Sequence, residues 1–473
     1  MLPTTAFLLS LTGIALGFHA CQRISDEVSS STDVYYPGSS LYIVDNEHYA
    51  TSSSQASDCS VEPGSAEDVG IILGILGKTK TAFGVKGGGH ATNQGFSSTT
   101  GVQIAMTRFN EITYDSLTRT AVIGTGNIWD DVYDVLNAQG VNVLGGRVTG
   151  IGVAGLTLGG GYSWLSNQYG LALDNVVGYE LVVPNGTVVT VTDESDSDLF
   201  FSLKGGGNNY GIVTRFTLKT YQQGAVWGGM ALYNGSYISA FTAASVKFCE
   251  EVTDPKAGMI MGYGYTNGQV FLSSTMFYDG PTPPDGVFDD FLAIPALTQD
   301  VTTRSKFSDL INATAPTMNP TAGFRTVYNH IPMLNYSESV IDSIINEVNF
   351  WGPMLSAHGA TIVSYAIEPF LPSLLSHAPA GSSAYPSSRD HVAFPTNLNF
   401  QWTSESEDDV FHDAARQTAE RLGAQGESLY PNYAIYGTPV VDMFGVEGVK
   451  KMEATRKRVD PYGVMTLTGG FKV

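Results

Sequence analysis

The chain has 473 residues, 43% of them hydrophobic and 11% aromatic, more than one ordinary core accommodates; a folded protein of two domains is expected and a disordered chain is excluded. Its 24 Lys and Arg against 45 Asp and Glu leave a net charge of −21, which repels polyanions, so neither nucleic acid nor an anionic membrane surface is an expected partner. The 53 glycines are clustered, which points to tight turns and close backbone approach at particular places.

Residues 1–20 combine an apolar run from Ala6 to Leu16 with small residues at Gly17 and Ala20, the pattern of a secretory signal peptide. No other stretch approaches the ~20 apolar residues that a membrane-spanning helix requires. Asn185, Asn234, Asn312 and Asn335 each open an Asn-x-Ser/Thr acceptor, in keeping with a glycosylated, secreted surface. In an oxidising compartment Cys21 and Cys59 can form a disulfide that pins the N-terminal segment and leaves Cys249 single; a fully reduced set is the alternative.

Ser65-Ala-Glu-Asp68 reads as a capping box ahead of Val69, Ile72, Leu73 and Leu76, which share one helical face. Lys80 to Val85 reads as a short strand that delivers Gly87-Gly88-Gly89-His90 into a cofactor site. A second helix fits Asn127 to Ala138, with Trp129, Val132, Tyr133 and Leu136 on one face and Gly140 as its stop. From Leu144 to Gly161 the glycines at 145, 146, 150, 152, 155, 159, 160 and 161 predict loop throughout. Strands at Val176–Val183 and Thr187–Val191, a helix through Leu199 to Lys204, and a strand ending at Thr220 complete an α+β unit. Beyond about residue 225 the strands lengthen, as at Val270 to Tyr278 and Gly323 to Ile331. The tail, with an aromatic cluster at Tyr430 to Tyr436 and a helix near Gly448 to Arg458, is too short to fold alone and is expected to return to the first unit.

Gly150-Ile-Gly152-Val-Ala-Gly155 satisfies the dinucleotide fingerprint, with Asp174 at the distance of a ribose-binding acid. Gly159, Gly160 and Gly161 would break the helix that the fingerprint demands, so a Rossmann unit is not expected. No histidine pair has zinc-ligand spacing, and neither C-x-x-C nor G-x-S-x-G occurs, so zinc and serine-hydrolase chemistry lack support. His90 differs from an ordinary structural histidine because it ends a triple-glycine turn, where backbone N–H groups can approach a pyrophosphate and set an imidazole beside it.

Five stretches carry a family resemblance: Cys59-Ser-Val-Glu-Pro-Gly-Ser-Ala-Glu-Asp-Val69, Lys86-Gly-Gly-Gly-His90, Gly150 to Gly161, Tyr169-Gly170 and Lys204-Gly-Gly-Gly-Asn-Asn-Tyr-Gly-Ile212-Val213-Thr214. With them the chain resembles the berberine-bridge-enzyme-like, oxygen-dependent FAD-linked oxidoreductases, which have a vanillyl-alcohol-oxidase-type FAD-binding domain. The resemblance implies FAD joined covalently to His90, with Gly87, Gly88, Gly89, Gly150, Gly152, Gly155, Gly160, Gly161, Ile212, Val213 and Asn432 along the cofactor. Val148 stands where some members carry a second flavin-linking cysteine, so a single attachment is implied. Tyr430-Pro-Asn432-Tyr433 matches a family motif whose second tyrosine faces the substrate as proton acceptor; the Asp that commonly follows is replaced by Ile435. Tyr433, helped by Tyr430, is therefore the candidate base, and aromatic packing is the competing role for both.

These readings combine into a two-domain α+β expectation. Residues 1–20 are the signal peptide, 22–222 and the returning segment 425–473 hold FAD, and 225–424 form a sheet-based substrate domain over the flavin. The resemblance implies a secreted, metal-free oxidoreductase, acting as a monomer, that passes hydride from a small organic substrate to FAD and then electrons to dioxygen. An alcohol of secondary metabolism is the leading substrate class. A carbohydrate, or a flavin-retaining cyclase or binding protein without net redox, remain the alternatives.

Overall fold

In the computed structural model, which describes residues 19–315 and 323–473, the first unit is built on two small sheets. One has the order β1 (Asp33–Tyr35), β2 (Cys59–Glu62), β4 (Val102–Ala105), β3 (Phe83–Lys86), parallel except for β1. The other is antiparallel throughout, in the order β5 (Ile112–Asp115), β6 (Thr120–Gly124), β10 (Ile212–Lys219), β8 (Val176–Val182), β9 (Val188–Val191). The helix Ala66–Thr79 joins them: Val69, Ile72, Leu73 and Leu76 are wholly buried and share a core with Val61 and Val102 of the first sheet and Val182 and Ile212 of the second. The expected signal segment at residues 1–20 lies outside the described residues apart from its last two, which open a helix over 19–27. A disulfide from Cys21 to Cys59 ties that helix to β2, and Cys249 stands as a free thiol.

Two local expectations need correction. The capping box is only half formed: the Ser65 hydroxyl accepts from Asp68 N–H at 3.1 Å, but in place of the Ser65 backbone N–H the Asp68 carboxylate accepts from Ser29 N–H, the Ser29 hydroxyl and the Thr32 hydroxyl at 2.9, 2.6 and 2.6 Å. A folded-back N-terminal turn offers it three donors where Ser65 offered one. Within the glycine-rich stretch expected to be loop, Val153–Gly159 forms a helix. Its buried Val153 and Thr157 supply the packing, and Gly160 (φ +139°) and Gly161 (φ +88°) end it rather than forbid it.

After a two-stranded pairing of β7 (Val141–Asn142) with β11 (Tyr221–Gln222), the chain enters a seven-stranded antiparallel sheet. Its members are β12 (Val226–Asn234), β13 (Ala257–Thr266), β14 (Gln269–Tyr278), β15 (Ala296–Arg304), β16 (Arg325–Met333), β17 (Ala360–Ile367) and β18 (Phe394–Trp402), in the order β15-β12-β14-β13-β17-β18-β16. Strand alternation separates its two faces. Tyr263, Tyr365, Leu398, Phe400 and Trp402 are wholly buried beneath the helices Ile238–Glu251, Glu338–Ser356 and Asp408–Leu422, while Ile260, Tyr328, Ser364, Ala366, Asn397 and Asn399 turn toward the first unit.

The last segment closes the structure. The helix Val440–Val459 bends at Gly445, Thr468 bridges to Phe83 beside β3, and the side chains of Asn208 and Asn209 hold the carbonyls of Gly469 and Phe471 at 3.1 and 2.9 Å. No described helix is long and apolar enough to cross a membrane.

Candidate active site

Between the glycine loops and the inner face of the large sheet lies a cavity of about 500 Å³. Strand β3 delivers Gly87, Gly88, Gly89 and His90 to its wall. A Cβ on Gly88 would fall 2.5 Å from Gly152 Cα, and one on Gly152 would fall 2.5 Å from Gly88 N, so the two loops touch backbone to backbone and only glycine fits at either position. Gly89 has φ +69°, which lets the chain turn sharply before His90.

The imidazole of His90 stacks on Tyr49, the ring centres 4.1 Å apart and inclined by 15°, and its Nε2 is buried without a hydrogen-bond partner. Burial pushes its pKa down to about 4, so the ring is neutral near pH 7 and keeps a nitrogen lone pair. Lys86, next to the glycines, does not project its charge into the cavity: its Nζ donates to the Val44 carbonyl at 2.7 Å.

Gly155, Ile212, Val213, Asn432, Tyr430 and Tyr433 also line the cavity. Gly150, Gly160 and Gly161 stand off its wall. Gly150 N–H donates to the Asp130 carboxylate at 2.9 Å, Gly160 packs on the rings of Tyr430 and Tyr385, and Gly161 N–H donates to the Tyr430 hydroxyl at 3.1 Å. That hydroxyl also accepts from Asn432 Nδ2 at 2.9 Å, and Tyr430 N–H donates to His330 Nδ1 at 3.0 Å, so Tyr430 is held at both ends. Asp174, the would-be ribose acid of a Rossmann unit, is instead paired with Arg389 at 2.5 Å, both side chains almost wholly buried.

Tyr433 has different neighbours. Its hydroxyl donates to Glu368 Oε1 at 3.0 Å and accepts from Arg147 Nη2 at 3.0 Å, while Arg147 Nη2 also pairs with Glu368 Oε2 at 2.5 Å. Arg147 and Glu368 are 7% and 3% exposed, so their charges face each other with little water between them. Burial raises the Glu368 pKa, and Arg147 and the Tyr433 hydroxyl pull it back only in part. Burial, and then the Glu368 charge, push Tyr433 well above the usual phenol range, so it is a neutral phenol and not a resident phenolate.

Sequence reasoning missed Arg147 and Glu368 as functional residues. A signal was present, because Glu368 is the single carboxylate between Glu347 and Asp390, and it follows directly on the β-branched and aromatic run Thr361-Ile-Val-Ser-Tyr-Ala-Ile367, which reads as a strand. A lone acid at the end of a core strand is buried only with a partner.

Two observations fit FAD: facing glycine loops that any Cβ would block, and a neutral imidazole whose Nε2 lacks a partner at the end of one of them. The FAD binding domain family model matches residues 57–192. An uncharacterized FAD-linked oxidoreductase of Arthroderma benhamiae is 40% identical over 288 residues, 59% of this chain and 57% of that protein. The FAD-dependent monooxygenase sdcF of Emericella nidulans is 30% identical over 468 residues, 93% of this chain and 95% of that one. Among solved structures, 6-hydroxy-D-nicotine oxidase from Arthrobacter nicotinovorans superposes with a TM-score of 0.80 at 20% identity, over 93% of this chain and 97% of that one. The BBE-like 1 protein of Physcomitrella patens gives 0.77 at 21% identity, over 94% and 97%. At such identities the structural likeness speaks for the fold.

Proposed function

This chain belongs to the berberine-bridge-enzyme-like family of FAD-linked oxidoreductases, and on that premise we propose that it is a secreted, monomeric oxidase carrying FAD on His90 and oxidising a small organic alcohol, with dioxygen as electron acceptor. The hydrogen-bonded set Tyr433, Glu368 and Arg147, on the wall of the cavity that also holds His90, is the observation that carries the reading. Bound FAD supplies the hydride acceptor and the site at which dioxygen collects the electrons.

The remaining work falls to the chain's own residues. His90 presents a neutral nitrogen, the form needed for a single covalent bond to the cofactor. The glycine loops admit backbone N–H groups to a pyrophosphate. Tyr433 is too weak an acid to wait as phenolate, but it can accept the substrate hydroxyl proton while its own proton passes along the 3.0 Å bond to Glu368 Oε1. Arg147 opposes the burial that would protonate Glu368 beforehand, and once the proton has arrived it faces a neutral acid. Tyr430, anchored through Gly161, Asn432 and His330, fixes the segment that aims Tyr433.

Secretion is supported by the Cys21–Cys59 disulfide, a bond that persists in oxidising compartments. Asn185, Asn234, Asn312 and Asn335 are all exposed, as glycan acceptors must be. Acid precipitation of the purified protein tests the attachment: yellow colour should remain with the denatured chain and, in His90→Ala, should be lost or pass to the supernatant. Wild-type flavin that is released freely by acid refutes the covalent bond.

A further inference from the structure

Backbone packing against Gly152 holds Gly88, but a turn of three glycines has no side chains with which to orient the residue that follows it. The imidazole of His90 adds little constraint of its own, since its Nε2 makes no hydrogen bond. The direction of the ring is therefore set from outside the loop. Bond formation is unforgiving of such freedom, because the reacting atoms must meet at about 3–3.5 Å with orbitals aligned and a misplacement of about 1 Å costs about 100-fold in rate.

Tyr49 meets the loop twice. It lies on the cavity wall, in the bend between the helix Ser40–Asn46 and the short helical turn Thr51–Ser53. Its N–H donates to the Gly89 carbonyl at 3.0 Å, and its ring covers the His90 imidazole at 4.1 Å and 15°. The ring is thus registered to the loop through the backbone of the same residue. The large sheet holds Tyr49 from the other side. Its carbonyl accepts from Gly323 N–H, and the Phe324 carbonyl accepts from Thr51 N–H, both at 3.0 Å. Thr326 N–H donates to the Ser52 hydroxyl and that hydroxyl to the Thr326 carbonyl, at 3.1 and 3.2 Å, while Gln401 Nε2 of β18 donates to the Tyr49 hydroxyl at 3.4 Å. Tyr328, two residues beyond Thr326 on β16, brings a second ring to 6.2 Å from the imidazole, inclined by 29°.

We propose that Tyr49 is a positioning residue for the covalent attachment of FAD, its ring fixing the plane of the His90 imidazole so that a ring nitrogen meets a methyl carbon of the flavin. The proposal rests on the covalent reading above and deepens it. In the attachment one methyl C–H bond and the imidazole N–H give way to one C–N bond; two electrons and two protons pass to the isoalloxazine, and dioxygen removes them as hydrogen peroxide. Tyr49 takes neither proton nor electron. A flat face laid on the imidazole removes its tilt, because stacked rings hold their planes near parallel. An aliphatic side chain of similar bulk fills the space without fixing the plane.

The test partitions bound flavin by acid precipitation in wild-type holoenzyme, Tyr49→Leu and Tyr49→Phe, with total flavin per protein and the urea midpoint measured on the same preparations. In Tyr49→Leu the share of bound flavin released to the supernatant should rise about tenfold or more over wild type, and should fall slowly when the variant is incubated in air with excess FAD. Tyr49→Phe keeps the stack and should hold its flavin in the pellet as the wild type does. A residue that only packs lowers the midpoint and the total flavin but leaves the acid-stable share of what is bound unchanged, so a wild-type share in Tyr49→Leu overturns the inference. A loss in Tyr49→Phe as large as in Tyr49→Leu also overturns it, since the hydroxyl and not the stack is then the cause. If Tyr49→Leu does not fold, Tyr49→Met, unbranched and of similar length, takes its place. Failure of both to fold, or a folded variant that takes up no flavin, assigns Tyr49 to the fold or to binding and overturns the inference too. Wild-type flavin released freely by acid sinks the covalent reading itself; a wild type and a leucine variant that both retain their flavin sink only this inference.

Discussion

Tyr433→Phe separates proton transfer from packing because it removes one oxygen and leaves the ring. In the folded protein that oxygen takes one hydrogen bond from Arg147 and gives one to Glu368, both at 3.0 Å. Arg147 and Glu368 keep their 2.5 Å ion pair in the variant, so no buried charge is stranded, and the stability cost should be that of the two charge-assisted hydrogen bonds lost, about 1.5–3 kcal/mol each. The kinetic cost is read separately, on the holoenzyme. A positioned base contributes about 100-fold or more, which corresponds to at least ~2.7 kcal/mol of barrier. The measurement is anaerobic mixing of enzyme with substrate while the flavin absorbance is followed, because steady-state turnover can be limited by oxygen or by product release. Glu368→Gln provides the comparison. It should slow flavin reduction to a similar degree and also destabilise the protein by about 3–5 kcal/mol, since it leaves Arg147 buried without its counter-charge. Wild-type reduction rates in Tyr433→Phe, with flavin spectrum unchanged, would refute the relay and return Tyr433 to an aromatic wall.

Two further outcomes are expected. Burial pushes the His330 pKa down to about 3, whereas an unfolded histidine titrates near ~6.5, so the unfolded chain binds the proton first; the stability this residue contributes is complete above that upper value and is lost as pH falls toward the lower one. Between about pH 7 and 5 the loss is about 2 kcal/mol, and His330→Gln should remove that share of the acid sensitivity; identical shifts of urea midpoint in variant and wild type would contradict it. Gly88→Ala would place a Cβ 2.5 Å from the Gly152 backbone, so we expect about 1–3 kcal/mol of destabilisation with loss of flavin; Gly155→Ala meets no protein atom within 4 Å and sits in a helix where alanine is worth up to ~1 kcal/mol, so the flavin-free chain should hold or gain stability while the added methyl, on the wall of the cavity proposed for FAD, lowers flavin content; urea unfolding and the flavin-to-protein ratio check both.

What the amino-acid sequence determines by itself is local. Ser65 starts the helix Ala66–Thr79 because its hydroxyl reaches an N–H within one turn, and Lys86-Gly-Gly-Gly-His90 announces a close backbone approach because no other residue type fits such a turn. The same locality explains the errors. Glycine density between 144 and 161 argued against a helix, yet packing of Val153 and Thr157 outweighed the propensity cost over the seven residues Val153–Gly159. Asp68 was assigned to its own helix, and a turn more than thirty residues earlier took it instead. The chemistry of the site lies further beyond local pattern, since Arg147 and Glu368 are 221 residues apart and Tyr433 reaches Glu368 across another 65. Sequence spacing constrains which side chains share a face of one helix or strand, through the fixed periods of those structures. Which carboxylate stands behind which tyrosine, and whether Asn397 and Asn399 face water or the first unit, depends on the register and docking of separate elements, and only the folded chain decides that.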